Sequence, residues 1–224
     1  TQPGTMTAIV GTSGSGKSTI AKLMAGFWDV TSGTVRFGGQ DIRNIPFGQL
    51  MDEISYVAQD NFLFDKSIRE NIRMGIPDAS DGEVEAAAKA ANCHDFIMQL
   101  EQGYDTMAGD AGDRLSGGER QRITIARAIL KQASVIILDE ATAYADPENE
   151  ALIQQAISKL VAGKSLIVVA HRLNTIRNAD QILVVANGEI VGRGIQKELL
   201  QNCPLYRKMW QDYAGSIEGG TEDV

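Results

Sequence analysis

Residues 11–18 have the residue types and spacing of a phosphate-binding loop. They lie between an apolar run at 7–10 and helix-forming residues at 20–25. In such a loop the glycines let backbone N–H groups face an anion, lysine reaches the β- and γ-phosphates, and the final serine takes one position on Mg²⁺. A plain strand-to-helix turn requires neither Lys17 nor Ser18, so we predict a nucleoside triphosphate ligand. The predicted contacts are Gly11, Thr12, Ser13, Gly14, Ser15, Gly16, Lys17, Ser18 and, supporting the helix start, Thr19.

Asp139 and Glu140 form a second group of candidate residues. They directly follow the apolar run at 135–138. Adjacent carboxylates repel each other, so they need a cation or water nearby. Mg²⁺ carried by a triphosphate is such a cation. We predict that Asp139 holds the metal through its water shell and that Glu140 polarises or orients the attacking water as general base. The alternative is that both acids only cap the next segment.

Residues 115–119, Leu-Ser-Gly-Gly-Glu, open a predicted helix over 117–131. A serine and two glycines expose N–H donors at the positive end of a helix dipole, which makes a second anion-binding site, called the second anion seat below. One triphosphate contacts both seats if they face each other in a monomer; otherwise the second seat serves a neighbouring copy. A serine cap followed by flexible glycines is the remaining interpretation. Arg120, Arg122 and Arg127 are predicted to form ion pairs on the helix surface.

Composition narrows the function classes. The chain has 224 residues, 43% of them hydrophobic, and its 29 acidic against 21 basic side chains argue against a nucleic-acid partner. No apolar run is long enough to span a membrane. Cys93 and Cys203 lack metal-ligand spacing, which indicates a reduced intracellular compartment. A start at Thr1 without an initiator Met suggests a domain cut from a longer polypeptide.

The order of strand-like and helix-like segments predicts an α/β protein with a mostly parallel sheet covered on both faces. Predicted helices between a short strand at 54–57 and the helix at 117–131 form an inserted helical lobe. A hairpin around Asn187 and Gly188 and two short helices follow near the end of the chain.

Together these motifs resemble the nucleotide-binding domain of an ATP-binding cassette (ABC) transporter over nearly the whole chain. In the family's order they are Walker A (11–18), the Q-loop glutamine (Gln59), the signature (115–119), Walker B (135–140), the D-loop aspartate (Asp146) and the switch histidine (His171). Residues 61–72 and 109–112 are similar to the exporter-type branch, in which a membrane domain precedes the cassette on the same polypeptide.

The resemblance implies a P-loop NTPase that hydrolyses ATP with Mg²⁺ and drives movement of attached membrane domains. Two domains, identical or different, pair head to tail, so that ATP on Walker A of one is covered by Ser116, Gly117 and Gly118 of the other. Binding closes the pair and hydrolysis releases it.

Roles for the remaining site residues also follow from the resemblance. Gln59 is implied to sense Mg²⁺ and the attacking water, and its loop to touch the coupling helices of the membrane domain. His171 holds the γ-phosphate and positions Glu140, while Asp146 makes contacts across the dimer. The unusual residues before Asp146, Ala-Tyr-Ala at 143–145, depart from the family pattern there.

Domain limits and location are implied in the same way. A single cassette spans 1–224, with a core at about 1–60 and 130–214, a helical subdomain at about 61–130 and a flexible tail at 215–224. It lies at the cytoplasmic face of a membrane within an integral transporter, and the isolated domain is soluble. The ten residues before Gly11 contain no aromatic side chain to stack on adenine, so an incomplete N-terminal antiparallel β lobe is expected.

Other functions stay open at the level of sequence. A soluble ABC-type ATPase of DNA repair shares this chemistry but usually inserts a long coiled coil between Q-loop and signature. A P-loop kinase would lack residues 115–119, and a regulatory module would not need both Glu140 and His171. The transported molecule is selected by membrane segments, which lie outside this sequence. Exporter-like cassettes most often serve efflux of lipids, drugs or peptides. Uptake of metal-chelating siderophores is the alternative, and residues 146–150 resemble that minority weakly.

Overall fold

The computed structural model of the protein describes residues 1–139, 147–170 and 173–218. The chain divides into two compact units. The first joins Thr1–Phe47 to Ser165–Val224, and the second is Gly48–Lys164. Among the described residues, no helix combines the length and the apolar character that crossing a bilayer requires.

The first unit is built on four strands in the spatial order β6, β1, β7, β8. These are β1 (Met6–Gly11), β6 (Ser165–Val169), β7 (Gln181–Ala186) and β8 (Glu189–Gly194). Strand β1 pairs in parallel with β6 on one side and with β7 on the other, whereas β8 returns antiparallel beside β7. Residues 7–11 of β1 are all buried, because its two neighbours and the covering helices exclude water from both faces.

Helices cover this sheet and follow the strands in sequence. They are α1 (Lys17–Met24), α8 (Gln196–Asn202) and α9 (Pro204–Glu218). A fully buried Tyr206 in α9 packs into the main cluster with Val10 and Ile182 of the strands, and Trp210 lies at the edge of that cluster. A small antiparallel pair, β2 (Arg36–Phe37) and β3 (Gln40–Asp41), lies between α1 and the second unit in sequence.

In its described residues, 48–139 and 147–164, the second unit has one parallel strand pair and six α-helices. The strands are β4 (Ile54–Val57) and β5 (Val135–Asp139), with Ile54 beside Val135 and Val57 beside Leu138. The helices are α2 (Phe47–Glu53), which begins at the unit boundary, α3 (Ile68–Arg73), α4 (Asp81–Ala90), α5 (His94–Gln99), α6 (Gly117–Lys131) and α7 (Pro147–Val161).

Helix α6 is the centre of the second unit, since α3, α4, α7 and β4 all pack against it. Its Ile123 and Ile125 are fully buried, and so are Ile72 of α3 and Ile153 of α7. Serine N-caps with a glutamate three residues later fix the starts of α3, α4 and α6. Such a capping box satisfies two backbone donors that a helix start otherwise leaves open.

The predicted fold class is confirmed, because helices alternate with strands whose pairing is mainly parallel. The predicted bounds of α6, β4 and β5 are those observed. The hairpin turn at Asn187 and Gly188 is also confirmed: both residues have positive φ, 50° and 79°, as a tight two-residue turn requires. Helix α2 was not predicted from the turn-rich sequence around Pro46. Leu50 is the one residue of this helix that is buried in the structure.

Candidate functional site

The loop after β1 is shaped by close backbone approaches in the first unit. A Cβ on Gly11 would lie 2.1 Å from the carbonyl oxygen of Val185, so only glycine fits where β1 passes β7. Gly14 and Gly16 have φ of 73° and 99°, a region that L side chains rarely adopt. The backbone N–H of Gly188 donates to the Ser15 carbonyl at 3.0 Å, which ties the loop to the β7–β8 turn.

Lys17 is the cation of this loop. Its side chain is only 4% exposed, and Nζ donates to the carbonyl oxygens of Gly11 and Thr12, each at 3.0 Å. The ammonium group is therefore held over the mouth of the loop by main-chain acceptors. A phosphate that enters the loop offers stronger, charged acceptors to the same group.

Two further observations show that the loop suits an anion. Helix α1 begins after Gly16, and no side-chain hydrogen bond caps this helix start, whose N–H groups form the positive end of the helix dipole. The buried Ser15 hydroxyl has no hydrogen-bond partner among the described residues. Buried polar atoms in folded proteins are almost always paired, so an unpaired one beside uncapped N–H groups fits a site that a ligand completes. Thr12, Ser13 and Thr19 are exposed and Ser18 is half-buried at the same loop.

The second unit places Asp139 at the carboxyl end of β5. Its side chain is 6% exposed, and Oδ2 accepts a hydrogen bond of 2.6 Å from the hydroxyl of Tyr56 on β4. Burial, together with this hydrogen bond, raises the pKa of Tyr56 well above its usual range. Tyr56 therefore acts as a donor to a carboxylate. Sequence reasoning did not identify Tyr56, because no local motif marks it.

Gln59 lies two residues beyond the end of β4, in an exposed turn. Its main-chain carbonyl accepts from the side-chain amide of Asn61 at 3.2 Å. The exposed side chain and its place after a parallel strand are consistent with a ligand contact.

The start of α6 combines a cap with glycines. Ser116 Oγ accepts from the N–H of Glu119 at 3.3 Å, while Glu119 Oε2 accepts from the N–H of Ser116 at 2.8 Å. The serine N-cap, one of the interpretations of this segment in the sequence analysis, is therefore present in the structure. Since the box uses the N–H groups of Ser116 and Glu119, the donors that remain at this helix start are those of Gly117 and Gly118.

The two glycines have different surroundings. A Cβ on Gly117 would meet nothing closer than 4.0 Å, whereas one on Gly118 would lie 3.0 to 3.2 Å from three side-chain atoms of Asn149 on α7. Asn149 Oδ1 in turn accepts from Nη1 of the buried Arg122. Asn149 of α7 therefore supports the start of α6, and sequence reasoning did not identify this residue either.

Two arginines of α6, Arg120 and Arg127, correct a prediction. Instead of the expected surface ion pairs, Arg120 donates to the carbonyls of Gly112 and Leu115, and Arg127 donates to Asn71. The second unit does contain ion pairs elsewhere: Arg69 and Arg73 of α3 pair with Asp81 of α4, Arg69 also pairs with Asp105, and Lys89 pairs with Glu85 within α4. Long arginine side chains on a central helix reach main-chain carbonyls of neighbouring loops and satisfy them.

A groove of about 240 Å³ opens in the second unit between β4, the loop after it and α6. Its lining includes the two cations Arg127 and Lys131 together with Tyr56 and the exposed apolar side chains Phe62 and Met74. Burial lowers the pKa of Arg127 to about 10 and also lowers that of Lys131. Among the described residues neither cation has an ion-pair partner. Asp60 also lines the groove, so its charged side chains are two cations and one carboxylate, and the groove is net basic and partly apolar.

Three of the predicted site residues, Glu140, Asp146 and His171, lie outside the described residues. The three predicted metal ligands, Ser18, Asp139 and Gln59, are all described and offer a hydroxyl, a carboxylate and an amide oxygen. Oxygen donors of this kind suit Mg²⁺, which keeps several waters and binds through one or two protein groups beside substrate phosphates. Within the described part of the chain no three His, Cys, Asp or Glu side chains group as a self-sufficient metal site.

Comparison with known proteins gives a consistent result. The family model described as "ABC transporter" matches residues 1–143. The mycobactin import ATP-binding/permease protein IrtA of Mycobacterium tuberculosis is 50% identical over 215 residues, which are 96% of this chain and 25% of that protein. The human ATP-binding cassette sub-family B member 6 is 49% identical, over 96% of this chain and 26% of that protein.

A solved structure agrees with these relatives. A bacterial Atm1-family ABC exporter with ATP bound superposes with a TM-score of 0.88 at 42% identity, over 95% of this chain and 37% of that one. The chain spans about a quarter of the length of the curated relatives it matches.

Proposed function

Because the chain belongs to the ABC transporter family, we propose that it is the ATP-hydrolysing domain of a membrane transporter. The observation that carries this proposal is the loop of the first unit. There Lys17 is held at the loop mouth by two carbonyls, the start of α1 has no side-chain cap, and the buried Ser15 hydroxyl lacks a partner among the described residues. These features suit the triphosphate of ATP, with contacts from Gly11 through Thr19.

Magnesium is proposed as the cofactor. When bound, it neutralises charge that develops on the phosphates during transfer to water. Asp139, Ser18 and Gln59 are the residues proposed to hold it and its water shell. Glu140 is proposed to orient or deprotonate the attacking water, and His171 to hold the γ-phosphate and position Glu140.

The second anion seat is proposed to serve a second copy of the domain. In the structure the N–H groups of Gly117 and Gly118 open α6 without a partner supplied by the capping box. We propose that they cover the γ-phosphate of ATP bound to the partner's loop, giving two shared sites in a head-to-tail dimer, with Asp146 making further contacts across it. The geometry of this site suits an identical or a different partner chain equally.

The basic, partly apolar groove is the proposed contact for the membrane domain. A cytoplasmic helix that offers an acidic residue and an apolar side chain complements Lys131, Arg127 and the exposed Phe62. IrtA carries the name of an ATP-binding/permease protein, which supports the proposal of a membrane domain upstream on the same polypeptide. The chain would then lie at the cytoplasmic face of a membrane, with the core at about 1–60 and 130–214 and the helical subdomain at about 61–130.

The proposal is tested by measuring Mg-ATP hydrolysis over a range of protein concentrations. If two chains share each site, the rate per chain rises with concentration until the dimer saturates. Glu140→Gln should abolish turnover and accumulate an ATP-bound dimer, detectable by size-exclusion chromatography with light scattering. A rate per chain that does not change on dilution would refute the shared site, and no hydrolysis at any concentration would refute the ATPase.

A soluble ATPase of DNA repair is disfavoured by the segment between the Q-loop and the signature. Residues 60–114 are all described, and their longest helix is α4, with 10 residues. A coiled-coil arm has no room there. The acidic net charge of −8 also disfavours a nucleic-acid partner.

A second candidate concerns the direction of transport. IrtA, 50% identical to this chain, carries the name of a mycobactin import protein, so uptake of a metal-chelating siderophore is proposed as the alternative to export. The cassette is shared by both directions, and only the complete transporter distinguishes them. Uptake of a radio-iron-loaded siderophore into inside-out and right-side-out vesicles would decide between them.

A further inference from the structure

Tyr56 is the residue from which we draw a further inference, and it lies outside every motif identified in the sequence. It is on β4, three residues before Gln59, and its hydroxyl contacts the carboxylate of Asp139 on the neighbouring strand. A contact between side chains 83 positions apart depends on how the two strands pair.

The strand register explains why Tyr56 reaches Asp139. Tyr56 lies beside Ile137 in the parallel pair, so both side chains are on one face of the sheet. Asp139 is two residues beyond Ile137, and residues two apart on a strand share a face. With strands about 4.8 Å apart and a rise of about 3.3 Å per residue, the two Cα atoms are diagonal neighbours about 8 Å apart. Serine or threonine is too short for that diagonal, and phenylalanine has no donor.

The hydrogen bond has the geometry of a strong one. Its O···O distance is 2.6 Å, within the range of a hydroxyl donating to an ionised carboxylate. Asp139 is 6% exposed and Tyr56 is half-buried, so bulk water does not readily compete for either group. The bond therefore fixes the plane of the carboxyl group and engages a lone pair of Oδ2.

We infer that Tyr56 is a positioning residue for the metal-holding carboxylate, orienting Asp139 toward the magnesium that accompanies ATP. This inference rests on the proposed function. Groups that hydrogen-bond a metal-holding carboxylate typically change metal affinity by 10- to 100-fold when removed. A half-buried partner, acting on a carboxylate that contacts the metal through water, is expected to fall at the lower end, at about tenfold.

The test is metal binding without turnover. Mn²⁺ replaces Mg²⁺ because free Mn²⁺ gives an electron paramagnetic resonance signal. Its dissociation constant is measured with the chain in excess over a non-hydrolysable ATP analogue, and the Mn²⁺ that the analogue binds without protein is measured separately and subtracted. Tyr56→Phe should raise that constant about tenfold. Binding of the same analogue in EDTA should not change, because Lys17 and the loop of the first unit are untouched.

Tyr104→Phe is the matched control. It also removes a phenol that forms a hydrogen bond in the second unit, 2.8 Å from His94 Nδ1, and should leave the Mn²⁺ constant unchanged. In an Asp139→Asn background, Tyr56→Phe should change the constant less than twofold, because the carboxylate through which it acts is absent. Thermal unfolding in EDTA checks that each variant is folded.

The outcomes separate the two proposals. Equal Mn²⁺ constants for Tyr56→Phe and the unmodified chain would overturn the role of Tyr56 and leave the ATP site intact. A tenfold effect that persists in the Asp139→Asn background would also overturn it, since the effect would then bypass the carboxylate. If the unmodified chain binds no Mn²⁺ together with the analogue, the proposed function fails, and this inference fails with it.

Discussion

Substituting alanine for each of the two glycines that open α6 should have opposite effects on stability. Gly117 and Gly118 are adjacent and begin the same helix, yet a Cβ on Gly117 meets nothing closer than 4.0 Å, whereas one on Gly118 lies 3.0 Å from Asn149 Cγ and 3.2 Å from its Cβ. Contacts of 3.0 to 3.4 Å force a neighbour to shift by a few tenths of an ångström. Rotating the amide does not relieve the contact with the Asn149 Cβ, so the α7 backbone must move.

The magnitudes follow from these contacts. Alanine is a better helix former than glycine by up to about 1 kcal/mol, so Gly117→Ala should stabilise the chain by about 0.5 kcal/mol at this first turn. In Gly118→Ala the same gain is opposed by displacement of Asn149, whose Oδ1 accepts from the buried guanidinium of Arg122. Weakening a buried hydrogen bond to a charged group costs about 1.5 to 3 kcal/mol. We expect a net loss of about 1 to 2 kcal/mol.

The assay is urea unfolding followed by circular dichroism, with the midpoints compared at a constant slope. Asn149→Ala provides the coupling test: it removes two of the three close atoms, so Gly118→Ala should cost clearly less in that background than alone. Equal midpoints for the two single glycine variants, or full additivity with Asn149→Ala, would refute the argument.

Three further predictions concern stability. Asn71→Ala should lower the free energy of unfolding by about 3 kcal/mol in urea titrations, because this fully buried amide donates to three carbonyls of the loop before α3 and accepts from Arg127. Asn71→Asp should lose at least as much, because it places a carboxylate oxygen against the same three carbonyls, and a loss below about 1 kcal/mol in both variants would contradict this. Ala111→Gly should raise the thermal midpoint, by about 1 kcal/mol in free energy, since Ala111 has φ of 51°; an unchanged midpoint would contradict this. Burial raises the pKa of the Cys93 thiol to about 12, so the folded state keeps a proton that the unfolded state loses near pH 9. The stability that this difference contributes is complete below pH 9 and is lost as the pH rises toward 12. Cys93→Ala should therefore lose less stability than the parent chain between pH 9 and pH 12.

Local patterns allowed part of this structure to be predicted from sequence. The start of α6 could be predicted because Ser116 is followed by two glycines and by Glu119 at capping-box spacing. The phosphate loop could be predicted because its glycines, Lys17 and Ser18 follow an apolar strand. Strand β5 was readable because a short apolar run ends in Asp139.

The residues that were missed act over long sequence distances. Tyr56 reaches Asp139 through strand register, and Asn149 packs on Gly118 through the contact of α7 with α6; neither geometry leaves a local signature. Helix α2 was missed because seven residues with a single buried side chain carry almost no periodicity. The roles of Glu140, Asp146 and His171 remain predictions, since those residues lie outside the described part of the chain.

The central claim, that each ATP site is completed by a second copy, is tested most directly by mixing two inactive variants. Lys17→Ala removes the loop cation, and Ser116→Arg blocks the start of α6, so each variant alone should hydrolyse no ATP. In a mixed dimer, the intact loop of the Ser116→Arg chain faces the intact α6 of the Lys17→Ala chain, which restores one working site. At equal concentrations half of the dimers are mixed, each with one of its two sites intact, so we predict about a quarter of the activity of the unmodified chain. Activity that stays at background across all mixing ratios, with mixed dimers demonstrated by differential tagging, would contradict the account.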